Sequence, residues 1–365
     1  MNHFNQHKVT TISGRYLSNI HLESFLSKLN PEIFRQSIAG YSVQNRPIYR
    51  LDFGTGAFKI LLWSQMHGNE STTTKAIIDL LNELNNNNHS DWLSYFSFTF
   101  LPLLNPDGAE NYTRVNANQV DLNRDSINLS QPESKVLRKV LEESQPDLAL
   151  NMHDQRSIFS AGAEANPATI SFLAPSFNEK RAVNEVRLFA MKLIVAMQTE
   201  LNRYIPLQIG RFDDAFNINC IGDYCTSQMI PTILFEAGHF QNDYHREITR
   251  TIVLLSLKHL FNSLISKNYT SFKLDDYLKI PENEKNFVDL VVENFSTCNE
   301  ELLKKGKKIP FQFKEVLNVN KIEFIPEYDE KTAPNFKFAH KTLNLNSLKI
   351  ESMKELQEIV EKTTK

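Results

Sequence analysis

The segment FKILLWSQMHGNESTTTKAIIDLLNELNNNN (58–88) contains, in order, an apolar run, a polar loop and an amphipathic stretch. The run FKILLWS (58–64) is short and almost wholly apolar, which is typical of a strand buried on both faces of a sheet. After the loop QMHGNE, apolar residues recur at helical spacing, at Ala76, Ile77, Leu80, Leu81 and Leu84. A buried strand that leads through a polar loop into a helix predicts an α/β fold.

The same pattern continues along the chain. Further apolar runs predict strands at 95–104, 147–153 and 231–238, and helical spacing predicts long helices at 133–144, 179–203 and 244–266. A surface helix at 22–37 and a hairpin at 40–56 are expected before them. Strands separated by helices predict a mixed, mainly parallel twisted sheet that helices cover on both faces.

Polar residues follow four of these predicted strands. His67, Asn105, His153 and Glu236 each lie at or just beyond the carboxyl end of a strand. Ligands bind at this edge in open α/β sheets. We therefore expect one site that collects these side chains, while NPDG (105–108) itself predicts a turn.

The tetrapeptide HGNE (67–70) separates an imidazole from a carboxylate by three residues, so both groups can turn to one point. Zn²⁺ accepts both ligand types, and a catalytic zinc needs a third protein ligand and an open position for water. His153 is the natural third ligand, which gives the two-His, one-Glu set of hydrolytic zinc enzymes. Because this spacing alone also occurs by chance, the prediction of one zinc ion per chain depends on the convergence of strand ends.

Glu236 ends the apolar run TILFEAG (232–238). An ionisable group in this position is costly to bury without a partner. A zinc-bound water would be such a partner, and Glu236 would then act as the general base that passes the water's proton to the leaving amine.

Three further polar residues lie between the predicted strands, in the segment that contains VDLNRD (120–125). Arg124, beside the amide of Asn123, is suited to hold a carboxylate through paired hydrogen bonds. Arg114 is a second candidate cation, able to polarise a carbonyl or stabilise an oxyanion. A surface ion pair is the alternative for each arginine.

HGNE (67–70), NPDG (105–108), DLNRD (121–125), His153 and FEAG (235–238) occur in an order that resembles the carboxypeptidase A-like zinc peptidase family, in a bacterial-type cytosolic form. The resemblance covers about residues 20–265. It implies a metallocarboxypeptidase that acts on peptides with a free carboxy terminus. By this resemblance zinc is bound by His67, Glu70 and His153, and Glu236 is the general base. It also implies that Arg114 polarises the scissile carbonyl, and that Asn123 and Arg124 hold the terminal carboxylate.

One residue expected from that family, an active-site tyrosine, is not at its usual position in this sequence. Its digestive members have a mobile tyrosine in the loop before the strand that ends in the catalytic glutamate. The segment GRFDDAFNINCIGDYC (210–225) has Phe212 and Phe216 in that place, and Tyr224 only later. Tyr224 is the candidate for this substrate contact.

Composition limits the partners and the cellular location that are expected. Hydrophobic residues make up 41% and charged residues 23%, with a net charge of −3, so no nucleic-acid partner is expected. The longest apolar stretch, 251–265, contains Lys258 and His259, so no membrane partner is expected either. Three cysteines and no apolar leader predict a cytoplasmic protein. We expect a catalytic domain at 1–268 and a small C-terminal α+β region at 269–365, with two or three strands and a closing helix.

Two other functions remain open. Aspartoacylase-like and succinylglutamate desuccinylase-like deacylases also carry HGNE and a following asparagine-arginine pair, and they cleave N-acyl amino acids. NPDG and the hairpin at 40–56 favour the peptidase over these deacylases. A non-catalytic zinc-binding or peptide-binding protein that keeps the fold is the alternative from a different class.

Overall fold

The computed structural model describes residues 7–86, 90–155, 158–328 and 336–364. The strands in these residues are β1 Arg35–Tyr41, β2 Pro47–Phe53, β3 Phe58–Ser64, β4 Phe96–Leu101, β5 Leu148–Asp154, β6 Ser160–Ala161, β7 Ile170–Leu173, β8 Ile209–Arg211, β9 Thr232–Ala237, β10 Asn283–Glu284, β11 Phe287–Ser296, β12 Lys308–Asn318, β13 Lys321–Glu327 and β14 Phe338–Lys349. The α-helices are α1 Asn19–Leu26, α2 Thr72–Asn86, α3 Ser90–Tyr95, α4 Pro106–Asn111, α5 Pro132–Ser144, α6 Glu185–Leu201, α7 Ile221–Ser227, α8 Glu247–Ser266, α9 Leu274–Leu278, α10 Glu300–Lys305 and α11 Met353–Thr364.

Eight strands form one mixed sheet in the order β1-β2-β4-β3-β5-β9-β7-β8. Its centre, β4-β3-β5-β9, is parallel, whereas β1, β2 and β7 introduce antiparallel pairs. Every residue of β5 is buried, as expected for a strand covered on both faces. The mixed α/β sheet predicted from the sequence is confirmed.

Helices cover both faces of this sheet. The apolar sides of α2, α6 and α8 pack in one cluster with Leu62, Leu150 and Phe235. The helices α5 and α7 pack on the opposite face, against Leu61 and Trp63. Because neighbouring residues of a strand point to opposite faces, Leu61 and Leu62 separate into these two cores.

Three local features differ from the sequence predictions. The first helix ends at Leu26 instead of continuing to 37, and β1 begins at Arg35, inside the range predicted as helix. NPDG does not form a simple turn but begins α4, where the side chain of Asn105 accepts a hydrogen bond from Gly108 N at 2.9 Å. The strands β7 and β8 have only four and three residues, too short for a recognisable pattern.

A second sheet has the order β13-β12-β11-β14. Its apolar core contains Leu290, Val292, Phe311 and Ile350 with residues of α10 and α11. The closing helix lies where it was expected, and the sheet has four strands instead of the predicted two or three. The short strand β10, between α9 and β11, pairs with β6. The division of the chain at residue 268 stays a prediction.

Across the described ranges, no helix is long and apolar enough to cross a membrane. The 20-residue helix α8 contains Lys258 and buries Arg250, which donates to Asp79 on α2. Its apolar residues pack in the core of the eight-stranded sheet. The cytoplasmic location stays a prediction.

Candidate active site

Adjacent parallel strands bring three side chains together. His67 and Glu70 lie between β3 and α2, and His153 lies near the end of β5. His67 Nδ1 is 2.8 Å from Glu70 Oε1, and His153 Nδ1 is 2.9 Å from Glu70 Oε2. The two Nδ1 atoms are 3.1 Å apart. All three side chains are only 2% exposed, so they face one another in the protein interior.

This donor set fits a zinc ion. The ligand atoms of His67, Glu70 and His153 all lie within 4.8 Å of one another. Each Nδ1 carries either one proton or one lone pair, so a single Nδ1 cannot satisfy both the glutamate and the other imidazole. A divalent cation between them satisfies all three groups, and two imidazoles with one carboxylate are a known catalytic zinc set.

Asp121 orients His67. Its Oδ1 lies 3.0 Å from His67 Nε2, the ring nitrogen that faces away from Glu70. Metal-binding histidines commonly donate this second N–H to a carboxylate, which fixes the ring. Burial opposes ionisation of Asp121, but the hydrogen bond and charge of His67 and the charge of Arg114 hold the pKa of Asp121 well below its ordinary value. Asp121 is not among the predicted site residues. The sequence feature that could have indicated it is its position in the DLNRD motif.

Glu236 lies beside this cluster. In the parallel pairing of β5 with β9, Glu236 is directly opposite His153. Burial, followed by the negative charges of Glu70 and Asp154, raises the pKa of Glu236 well above its ordinary value. A cation among His67, Glu70 and His153 would oppose this shift and favour the ionised carboxylate.

Arg114 reaches the cluster from the loop after α4. Its Nε donates to Asp121 Oδ2 at 3.0 Å, and its NH1 donates to Glu70 Oε1 at 3.3 Å. The side chain is 43% exposed, so it borders the cleft instead of lying beneath it. A half-exposed guanidinium beside these two carboxylates remains accessible to a ligand's oxygen.

Asn123 and Arg124 lie in a short 3₁₀ turn, 122–124, on the cleft wall. Asn123 Oδ1 accepts a hydrogen bond from Ile221 N at 3.0 Å, which attaches this turn to the start of α7. Arg124 NH1 contacts Asn123 O at 2.7 Å and Cys220 Sγ at 3.1 Å. In the parts of the chain that the structure describes, no carboxylate pairs with the Arg124 guanidinium, which is exposed to the cleft.

Residues 22–161 match the family model described as zinc carboxypeptidase. The matched residues make up less than half of the chain. A probable carboxypeptidase 2 of Trichophyton verrucosum is 30% identical over 113 residues, which cover 30% of this chain and 21% of that protein. The match thus spans about a fifth of that curated relative. The bacterial-type cytosolic form stays a prediction.

Solved structures show the same fold. A metallo-carboxypeptidase from Burkholderia cenocepacia superimposes with a TM-score of 0.54 at 16% identity, covering 69% of this chain and 70% of that one. A carboxypeptidase A from Helicoverpa armigera gives a TM-score of 0.55 at 18% identity, covering 73% and 80%. These likenesses establish the zinc carboxypeptidase fold of this chain.

The cleft of this zinc carboxypeptidase-like fold has a volume of about 600 Å³. It contains His67, Glu70, His153 and Glu236, and Arg114, Asn123 and Arg124 line it as well. Seven of the eight predicted site residues thus lie at one cleft.

Tyr224 is the exception. It lies on α7, one residue beyond Gly222 and Asp223, which line the cleft. Successive helical residues are rotated by about 100°, so Tyr224 points away. Its ring lies 3.7 Å from the guanidinium carbon of Arg138 and packs in the core beneath α5. The cleft is instead lined by Phe212 and Phe216, and the predicted substrate contact of Tyr224 has no support in this geometry.

Proposed function

We propose that the chain is a zinc-dependent carboxypeptidase that hydrolyses the last peptide bond of a substrate with a free carboxy terminus. The observation that carries this proposal is the convergence of two imidazoles and a carboxylate beside Glu236, in a cleft bordered by two guanidinium groups. The match of residues 22–161 to the zinc carboxypeptidase family model supports a hydrolytic role for this constellation.

His67, Glu70 and His153 would hold one zinc ion per chain. A zinc ion bound there supplies a Lewis acid, which polarises a carbonyl and lowers the pKa of water. Asp121 would keep the His67 ring in the orientation that directs Nδ1 inward, since its carboxylate engages Nε2.

Glu236 would move the proton. Its carboxylate accepts a proton from the attacking water and then donates it to the nitrogen of the leaving amine. The directly opposed positions of Glu236 and His153 support this role, because the base must lie beside the group that binds the metal.

The arginines would orient the substrate. Arg114 would donate to the scissile carbonyl oxygen, where negative charge develops. Arg124 and the side-chain amide of Asn123 would bind the terminal carboxylate through charge-assisted hydrogen bonds. The lack of a carboxylate partner for Arg124 in the described residues supports this assignment.

The test compares a short chromogenic peptide with the same peptide amidated at its carboxy terminus. The free acid should be hydrolysed about 10- to 100-fold faster, since hydrogen bonds to charged groups contribute about 1.5–3 kcal/mol. Arg124→Ala should remove this preference by slowing the free acid, whereas Arg114→Ala should slow both substrates. Arg203→Ala, which changes an exposed arginine paired with Glu200, is the control.

Equal turnover of the acid and the amide would contradict an exopeptidase role. Hydrolysis of N-acetylaspartate or N-succinylglutamate without peptide hydrolysis would identify a deacylase instead. Bound zinc with no turnover of any of these substrates would indicate a non-catalytic binding protein.

A further inference from the structure

Glu315, on β12 of the four-stranded sheet, contacts two segments that lead to the candidate active site. Its Oε1 lies 3.0 Å from Arg15 NH1, and its Oε2 accepts a hydrogen bond from the hydroxyl of Tyr112. The side chains of Arg15 and Glu315 are only 2% and 9% exposed. A buried carboxylate with both oxygens engaged is strongly fixed, because losing either partner leaves a polar group unsatisfied.

Tyr112 is held in an unusual conformation. It ends α4 with φ of 54° and ψ of 43°, in the left-handed region that residues other than glycine rarely adopt. Such conformations persist where several contacts with the surrounding structure hold the residue in place. Tyr112 clusters with Tyr16 and with Ile322 of β13, and its hydroxyl donates to Glu315, so the four-stranded sheet supplies part of this constraint.

The constraint on the backbone of Tyr112 affects the position of Arg114, two residues later in the chain. Thr113 N donates to Gly108 O at 2.8 Å, and the Thr113 hydroxyl donates to Val115 O at 2.9 Å. The main chain before Arg114 is therefore hydrogen-bonded to α4, and the main chain after it is hydrogen-bonded to the Thr113 side chain. Since the Arg114 side chain is 43% exposed, the path of this backbone determines where its guanidinium enters the cleft.

The other oxygen of Glu315 links to the metal-ligand loop. Its partner Arg15 accepts, at its main-chain oxygen, a hydrogen bond from the hydroxyl of Ser71, the residue after Glu70. One carboxylate of the four-stranded sheet is thus connected to the loop that carries Arg114 and to the segment packed against Glu70. Chains of contacts like these hold reactive groups in the productive geometry.

We propose that Glu315, acting through Tyr112, positions Arg114 for hydrolysis, so that the four-stranded sheet takes part in building the active site. Glu315 and Tyr112 are positioning residues, since neither lines the cleft. This inference rests on the proposed carboxypeptidase function.

Tyr112→Phe in the full chain tests it. This variant removes the hydroxyl but keeps the ring and the Arg15–Glu315 ion pair. With a free-acid peptide, kcat should fall about 10- to 100-fold, the scale of a small misplacement of a catalytic group. KM should change less than about twofold, because Asn123 and Arg124 are untouched.

A double variant separates positioning from general destabilisation. With Arg114→Ala already present, adding Tyr112→Phe should change kcat by less than about twofold, because the guanidinium that Tyr112 is proposed to position is absent. A loss of folded protein would instead lower kcat by the same factor in both backgrounds. Tyr49→Phe, which removes a phenol that donates to Glu23 far from the cleft, is the matched control.

The outcomes distinguish this inference from the proposed function. If the unmodified protein hydrolyses the peptide and Tyr112→Phe does so at the same rate, the positioning role is wrong and the proposed function stands. Equal losses in the presence and absence of Arg114 would also overturn it. If the unmodified protein hydrolyses no peptide, the proposed function and this inference both fail.

Discussion

The two main sheets bury ionisable side chains in different ways. At the carboxyl edge of the eight-stranded sheet, His153 and Glu236 face a cleft, and the Nδ1 atoms of His153 and His67 lie 3.1 Å apart beside one carboxylate. The four-stranded sheet instead pairs its buried carboxylates with protein donors: Glu315 with Arg15 and Tyr112, and Asp289 with the main-chain N–H of Phe313. Burying a polar group is costly in both sheets. We therefore expect the first set to bind a ligand, whereas the second set joins two parts of one chain.

This comparison leads to opposite expectations for substitutions. Replacing a cleft residue should alter the rate of hydrolysis more than the free energy of unfolding, since such groups are held for function and often at the expense of stability. Replacing a polar residue of the four-stranded sheet should first alter stability. Glu315 is the proposed exception, because its effect on rate passes through Tyr112 and Arg114.

The largest expected effect is that of Glu236→Gln. The amide keeps the shape of the side chain but cannot accept the water's proton, so kcat should fall about 10²- to 10⁴-fold. Zinc content, measured by atomic absorption, should not change. The melting temperature should change little, because the amide keeps the size and shape of the side chain.

Glu142→Gln makes the same chemical change at an exposed position of α5 and should leave the rate unaltered. A Glu236→Gln protein of near-normal rate would remove Glu236 from the mechanism. It would also weaken the contrast between the sheets, because Glu236 would then be only a buried structural group.

The smaller effect concerns the pH dependence of stability. Burial lowers the pKa of His340 to about 4, and its ring lies 4.2 Å from that of His239 and 4.8 Å from that of Phe287. The unfolded chain takes up a proton near pH 6.5, while folded His340 stays neutral until about pH 4. Stability from neutral His340 is therefore present above pH 6.5 and is lost as the pH falls toward 4, by up to about 3 kcal/mol.

His340→Phe should flatten this acid-side loss, measured as the free energy of urea unfolding between pH 7 and pH 4. Burial also lowers the pKa of His239 well below its ordinary value, and it raises the pKa of Asp289 to about 6. The raised pKa of Asp289 acts in the opposite direction and Asp289 remains in the variant. Because the charge of His340 also lowers the pKa of His239, the difference between the two profiles reports His340 together with its effect on His239. His245→Phe, at an exposed position, is the control. Identical pH profiles for His340→Phe and the unmodified protein would show that His340 has no such role.

Much of the first sheet could be predicted because its strands are unbroken apolar runs. FKILLWS predicted β3 at its observed bounds, since burial on both faces allows almost no polar residue in the strand. Strands β7 and β8 could not be predicted, because their few residues pair only through tertiary contacts. The four-stranded sheet was harder to predict, since β11 joins a strand, β14, that lies about 50 residues later in the chain.

The candidate site was predictable where residue type and strand-end position agreed, as for His67, His153 and Glu236. Side-chain direction within a short helix was not predictable, and Tyr224 illustrates this. Its sequence position is one residue from the cleft wall, yet its ring packs beneath α5. Asp121 and Glu315 were missed for another reason: each acts by contacting a residue distant in sequence, His67 or Tyr112, and no local pattern records such a pairing.

The most direct test of the account is to locate zinc in the purified protein by anomalous diffraction from a crystal. We expect one zinc per chain, about 2.0–2.2 Å from a nitrogen of His67, a nitrogen of His153 and a carboxylate oxygen of Glu70. Zinc bound at other residues, such as Cys220, or absent from a protein that hydrolyses peptides at the full rate, would contradict the account.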